Sequence, residues 1–190
     1  RNNPYDLRNL FTLDPDFGFR PILGNKFYNQ YGTKTNTYAM KKRDGVTRLL
    51  FIGDSVTQGG KIIDKLRRLH GEEGYEYWNA GVESFNTVQE VHYYKKYNFM
   101  VRPDHVILTF HLNDFETTPV SFYQGNQIVV YAPNTRLARI NPWLFRQSYV
   151  YRLLSGLLLD RDGKGRDSIK REVHESLREL RDLLLGEKVR

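Results

Sequence analysis

A serine hydroxyl becomes a nucleophile when the fold presents it at an open edge, a base lies beside it and hydrogen-bond donors face the oxyanion that forms. Ser55 is the residue best placed for that chemistry. It closes the segment Arg48-Leu49-Leu50-Phe51-Ile52-Gly53-Asp54-Ser55, and Gly59-Gly60 then lead into an amphipathic stretch, Lys61 to His70. The apolar run reads as a buried strand that stops abruptly at Gly-Asp-Ser. A strand that ends at a serine and turns into a helix puts the hydroxyl at the carboxyl edge of a sheet, where open α/β folds bind ligands. The helix N-terminus behind it offers N–H groups and a positive dipole end to a developing anion. The same tripeptide also makes a plain turn with an Asp or Ser helix cap, so its neighbours decide the reading.

Two further segments end in the same manner. Tyr75 to Asn79 reads as a strand closing in Asn79-Ala80-Gly81, and His105 to His111 as one closing in Leu112-Asn113-Asp114. In a parallel sheet these ends meet Gly53-Asp54-Ser55 on one edge. The backbone N–H groups of Ser55 and Gly81 and the side-chain amide of Asn113 could then serve as oxyanion donors. A glycine at 81 has a rationale here, because without a side chain its N–H can approach a substrate closely.

The elements that must carry these ends follow from periodicity. Asp44-Gly45 is a turn before the first clear strand, Thr47 to Ile52. The helix after Ser55 lines up Ile62, Ile63, Leu66 and Leu69, with Gly71 as its C-terminal cap. Asn86 or Thr87 caps a second helix running to about Phe99, with Val88, Val91, Tyr94 and Asn98 facing inward, until Arg102-Pro103-Asp104 breaks it. Strand, helix, strand, helix, strand implies a parallel sheet with right-handed crossovers. Val120 to Tyr123 and Gln127 to Tyr131 form a hairpin around Gly125-Asn126, which either shapes a pocket or is a surface excursion. Trp143 to Leu159 reads as an apolar helix. Ser168 to Leu185 is an amphipathic one, with Ile169, Val173, Leu177, Leu180 and Leu184 in line. Residues 1–45 read as an irregular arm with a short strand near Tyr38 to Met40, and residues 46–190 as one α/β domain.

With these blocks in place, the chain resembles the SGNH hydrolases, the GDSL-type esterase and lipase superfamily. Its first block is matched by Phe51-Ile52-Gly53-Asp54-Ser55-Val56-Thr57-Gln58-Gly59. The second is matched by Asn79-Ala80-Gly81-Val82-Glu83-Ser84-Phe85-Asn86-Thr87, and the third by Val106-Ile107-Leu108-Thr109-Phe110-His111-Leu112-Asn113-Asp114. The resemblance covers residues 45 to 160 and rests on three blocks in order after three strands. It implies a flavodoxin-like three-layer α/β/α fold. Ser55 would be the nucleophile, and Ser55, Gly81 and Asn113 the oxyanion hole, with Asp54 and Asp114 in support. The implied chemistry is acyl hydrolysis or transfer through an acyl-serine, without metal or organic cofactor.

The chain departs from the family at two places. His111 stands where members often carry glycine; its side chain either lies near the site or packs beneath it. The family's base is a His three residues after an Asp near the domain's carboxyl end, and no Asp-x-x-His exists here. Of the histidines, His70 is at a helix end, His92 and His174 lie within helices and His105 opens a strand. The tail Glu187-Lys188-Val189-Arg190 reads as the lead-in to another strand. The expectation is a fragment lacking its last strand and its Asp/His block, with little triad-dependent activity as it stands.

Composition narrows the alternatives. A length of 190 residues suits one α/β core. With no cysteine, disulfides, thiolate metal sites and cysteine nucleophiles are excluded. A mean hydropathy of −0.61 fits a soluble chain, and no apolar run reaches the roughly 20 residues of a membrane span. There is no signal-peptide pattern, and a start at Arg1 fits a processed or trimmed amino terminus. An extracytoplasmic or envelope setting is favoured slightly over the cytoplasm. The net charge of +7 is scattered over Lys41-Lys42-Arg43, Arg67-Arg68, Lys95-Lys96 and the Arg161 to Arg171 region. That pattern reads as a solvated basic surface rather than a nucleic-acid site. The expected partner is a small-molecule or carbohydrate ester, O-acetyl groups included. An O-acyltransferase and a non-catalytic binding module that has lost the base are the alternatives; oligomeric state is not legible.

Overall fold

The structure is a computed structural model that describes residues 10–34, 38–111, 120–124, 127–131, 142–157 and 164–187. The chain divides into two compact units, Pro21–Asp114 and Arg1–Arg20 with Phe115–Arg190. Residues 21–45, more than half of the expected arm, thus belong to the unit that holds the parallel sheet.

That unit is α/β. Its sheet has the order β4-β3-β5, made of β3 (Thr47–Gly53), β4 (Tyr75–Gly81) and β5 (His105–Thr109), all parallel. The register pairs Gly53 with both Gly81 and Thr109, so three strand ends finish level at one edge. β3 and β4 are buried over nearly their whole length, as a parallel sheet covered on both faces requires. On one face Phe51 and Tyr77 pack with Ile63, joined by Leu49, Leu66 and Ile107. By alternation Leu50 and Ile52 point the other way, and both are buried.

The helices follow the expected pattern with local differences. A separate one-turn helix, α1 (Ser55–Gln58), precedes α2 (Lys61–His70), and Gly59-Gly60 break the chain between them. On α2 only Ile63 is fully buried, whereas Ile62 and Leu69, expected on its core face, are exposed. In α3 (Thr87–Lys96) Asn86 is the cap: its side chain accepts the Gln89 N–H, and the Gln89 side chain returns the bond to the Asn86 N–H. Val91, Tyr94 and Asn98 are buried as expected, with Asn98 opening a short 3-10 turn, Asn98–Val101.

In the other unit β1 (Phe11–Asp14) pairs with β2 (Gly18–Pro21), a hairpin absent from the sequence reading. Asp14 ties its turn, accepting from the N–H groups of Asp16 and Phe17 and pairing with Arg20 at 2.9 Å. β6 (Val120–Gln124) and β7 (Gln127–Tyr131) form the expected antiparallel hairpin; its Gly125-Asn126 turn lies outside the described residues. The expected apolar helix is two, α4 (Pro142–Gln147) and α5 (Tyr149–Leu157). The last helix, α6 (Lys164–Glu187), buries Val173, Ser176 and Leu180. No helix among the described residues is long and apolar enough to cross a membrane.

Candidate active site

Ser55 leaves the carboxyl end of the central strand and is exposed. Asp54, buried before it, caps α1 by accepting the Val56 N–H at 2.9 Å. The Gly-Asp-Ser turn therefore does the capping that sequence alone left as the plain alternative, and it presents the serine as well. α1 is only four residues long, so any dipole field at Ser55 comes from a single turn rather than from the long helix expected. Among the described residues neither the hydroxyl nor the N–H of Ser55 has a hydrogen-bond partner.

Gly81 sits where expected, level with Gly53, but its surroundings are specific. Its N–H donates to the Asn79 side chain at 2.9 Å. A Cβ at this position would overlap the backbone of Thr57 and Gln58. The glycine thus lets α1 seat against β4, and its N–H is committed within the protein. Asn79 completes the lock, donating from Nδ2 to the Thr57 carbonyl at 2.8 Å. On the other side the Thr57 hydroxyl of α1 bonds the Thr109 hydroxyl at the end of β5.

Three residues near this edge carry no signal in the sequence. Ser84, in the loop after β4, holds φ at 62°, a left-handed conformation that costs a non-glycine residue about 1 kcal/mol. It is exposed, and its N–H is unclaimed among the described residues. Arg102, before β5, holds a similar φ of 52°, and neither residue carries a sequence signal for it. Tyr28 and Lys34 reach this edge from the arm. The Tyr28 hydroxyl accepts from Gln58 at 2.7 Å and donates to the Gly81 carbonyl, and Lys34 donates to the Gln58 carbonyl at 2.9 Å. Burial, opposed by the Gln58 bond and reinforced by the Glu83 carboxylate, pushes the Tyr28 phenol up to about 12, so it stays protonated. An arm without periodicity gives no hint of these contacts.

Asn113 and Asp114 lie outside the described residues. His111 is exposed, two residues beyond β5, rather than packed beneath the sheet. His70, His92 and His105 are exposed elsewhere on this unit, and His174 is exposed on α6. Among the described residues no histidine hydrogen-bonds Ser55, and no group of three or more acidic or histidine side chains could hold a metal. A cavity of about 370 Å³ opens at the opposite edge, lined by Tyr38, Ala39, Lys41, Arg43, Glu72 and Glu76. Its polar walls bond to one another, Tyr38 to Glu72 and Arg43 to the Glu72 carbonyl. Comparison with protein-family models, with curated proteins and with solved structures returns no match.

Proposed function

We propose that this chain carries a serine-centred acyl hydrolase site of the SGNH type. On this reading it acts on small acyl esters, carbohydrate O-acetyl groups among them. The observation that carries the reading is Ser55 itself: an exposed residue just past the carboxyl end of the central strand of a parallel sheet. Its oxygen attacks the acyl carbonyl, its proton passes to a base, and the alcohol leaves as the acyl-serine forms. Water then reverses the transfer and releases the acid; a sugar hydroxyl in its place would make the protein an O-acyltransferase.

The donors of the oxyanion hole divide differently from the simplest expectation. The N–H groups of Ser55 and Ser84 are both unclaimed among the described residues, whereas that of Gly81 bonds Asn79. Ser84 therefore supports the donor role better than Gly81, with the Asn113 amide as the third group. The exposed Val56 and Phe110 border the same edge and suit a short acyl chain.

One observation favours a second reading, a binding module without turnover: no described histidine bonds Ser55. Acetate release from p-nitrophenyl acetate and from an acetylated polysaccharide separates the two. Release by the wild-type chain and its loss in Ser55→Ala supports the hydrolase. Equal rates in both chains refute it, and polysaccharide binding without release identifies the module.

A further inference from the structure

Ser55 rides on a helix too short to hold itself. Its backbone bonds run from the Gln58 N–H to Asp54, from the Gly59 N–H to Ser55 and from the Gly60 N–H to Thr57, after which the chain turns away. One isolated helical turn has no cooperative stability of its own, so external contacts must fix the serine. Asp54 secures the front of the turn. At the back, the arm supplies the contacts. The Lys34 ammonium donates to the Gln58 carbonyl, where a cation suits the negative end of a helix. Its backbone N–H donates to the Asn79 carbonyl at 2.6 Å. The Tyr28 hydroxyl bridges the Gln58 side chain and the Gly81 carbonyl, joining the turn after β3 to the end of β4.

The arm is itself braced for this task. Asn29 bonds Thr33 through both backbone and side chain and accepts the Tyr31 N–H. Gly32, with φ of 72°, lies so close to the Tyr93 ring that no side chain would fit. Asn98 donates to the Tyr31 carbonyl at 2.7 Å, anchoring the loop beside α3. Thr33 and Tyr28 are buried. A loop that merely covered the sheet would not need its polar groups spent on one turn of another element.

We propose that Tyr28 and Lys34 are positioning residues for Ser55, clamping the helical turn that carries it to the end of β4. The proposal rests on the serine-nucleophile reading above. The test is hydrogen–deuterium exchange on the full chain, with fluorophosphonate labelling of Ser55 beside it, in Lys34→Met, Tyr28→Phe and Lys34→Arg. In Lys34→Met and Tyr28→Phe, exchange across residues 55–60 should quicken while α2 and β5 keep their protection. Labelling should slow by roughly tenfold, the scale on which a small misplacement of a reacting group is felt. Lys34→Arg should restore both. Unchanged exchange at 55–60 in both variants overturns the clamp, as does a loss of protection spread evenly over the sheet. A wild-type chain that takes no label refutes the nucleophile reading, and the exchange result still decides the clamp.

Discussion

The two edges of one three-stranded sheet are built in opposite ways. At the amino edge Arg48 is buried and four of its five guanidinium N–H groups are bonded. Its Nε pairs with Glu76 at 2.6 Å, its terminal nitrogens donate to the carbonyls of Ala39, Met40 and Val101, and its guanidinium carbon lies 5.0 Å from the centre of the Trp78 ring. Glu76 also accepts from the Trp78 indole. At the carboxyl edge the hydroxyl of Ser55 and the N–H groups of Ser55 and Ser84 stand without partners among the described residues. Polar groups that are saturated and buried hold a fold, whereas polar groups that are rigid and unspent can meet a substrate. That contrast, more than the presence of any residue type, is what supports the proposal of a site at the carboxyl edge.

The largest effect should come from the amino edge. Glu76→Ala leaves the Arg48 charge buried without its partner and should cost about 3–5 kcal/mol in denaturant unfolding, while replacing both residues by apolar ones should cost far less. Equal losses would mean that the pair matters by packing alone. Next comes Gly81→Ala, whose methyl group must displace the Thr57–Gln58 backbone. A loss of about 1–3 kcal/mol is expected, together with loss of Ser55 reactivity; full stability and reactivity would show that α1 need not seat on β4.

The smallest effect concerns Asp104, which accepts from the Arg48 N–H and pairs with Lys42 at 2.6 Å. Burial opposes ionisation, but these two partners outweigh it and hold the carboxyl below the usual range. A carboxyl depressed in the folded state adds stability above its unfolded pKa and loses it as the pH falls through the folded one. Asp104→Asn should therefore be less stable than wild type at neutral pH, by a small margin because the pair is partly exposed. The two melting curves should converge in acid below the ordinary carboxylate range. A gap that persists there would assign the loss to the amide rather than to charge.

Much of this fold was legible because burial on both faces leaves a plain record. Leu49 to Ile52 announces itself as an unbroken apolar run and α3 by its apolar stripe, whereas the choice of Asn86 over Thr87 as cap came from the bonds with Gln89. The meeting of the strand ends on one edge was expected from the βαβ pattern, but the strand order, with β3 between β4 and β5, comes from long-range pairing that no local pattern encodes. The hairpin of β1 and β2 was hidden because four-residue strands carry almost no period. At the site Ser55 and Asp54 were legible as an abrupt end to an apolar run. Ser84, Tyr28 and Lys34 were not, since a strained serine looks ordinary in sequence and the arm's bonds span long separations.

The most direct test of the central claim is to treat the full chain with a fluorophosphonate and map the adduct by peptide mass spectrometry. The account predicts a single adduct on Ser55, absent in Ser55→Ala. No adduct, or one on Ser84 or another serine with Ser55 untouched, would contradict it.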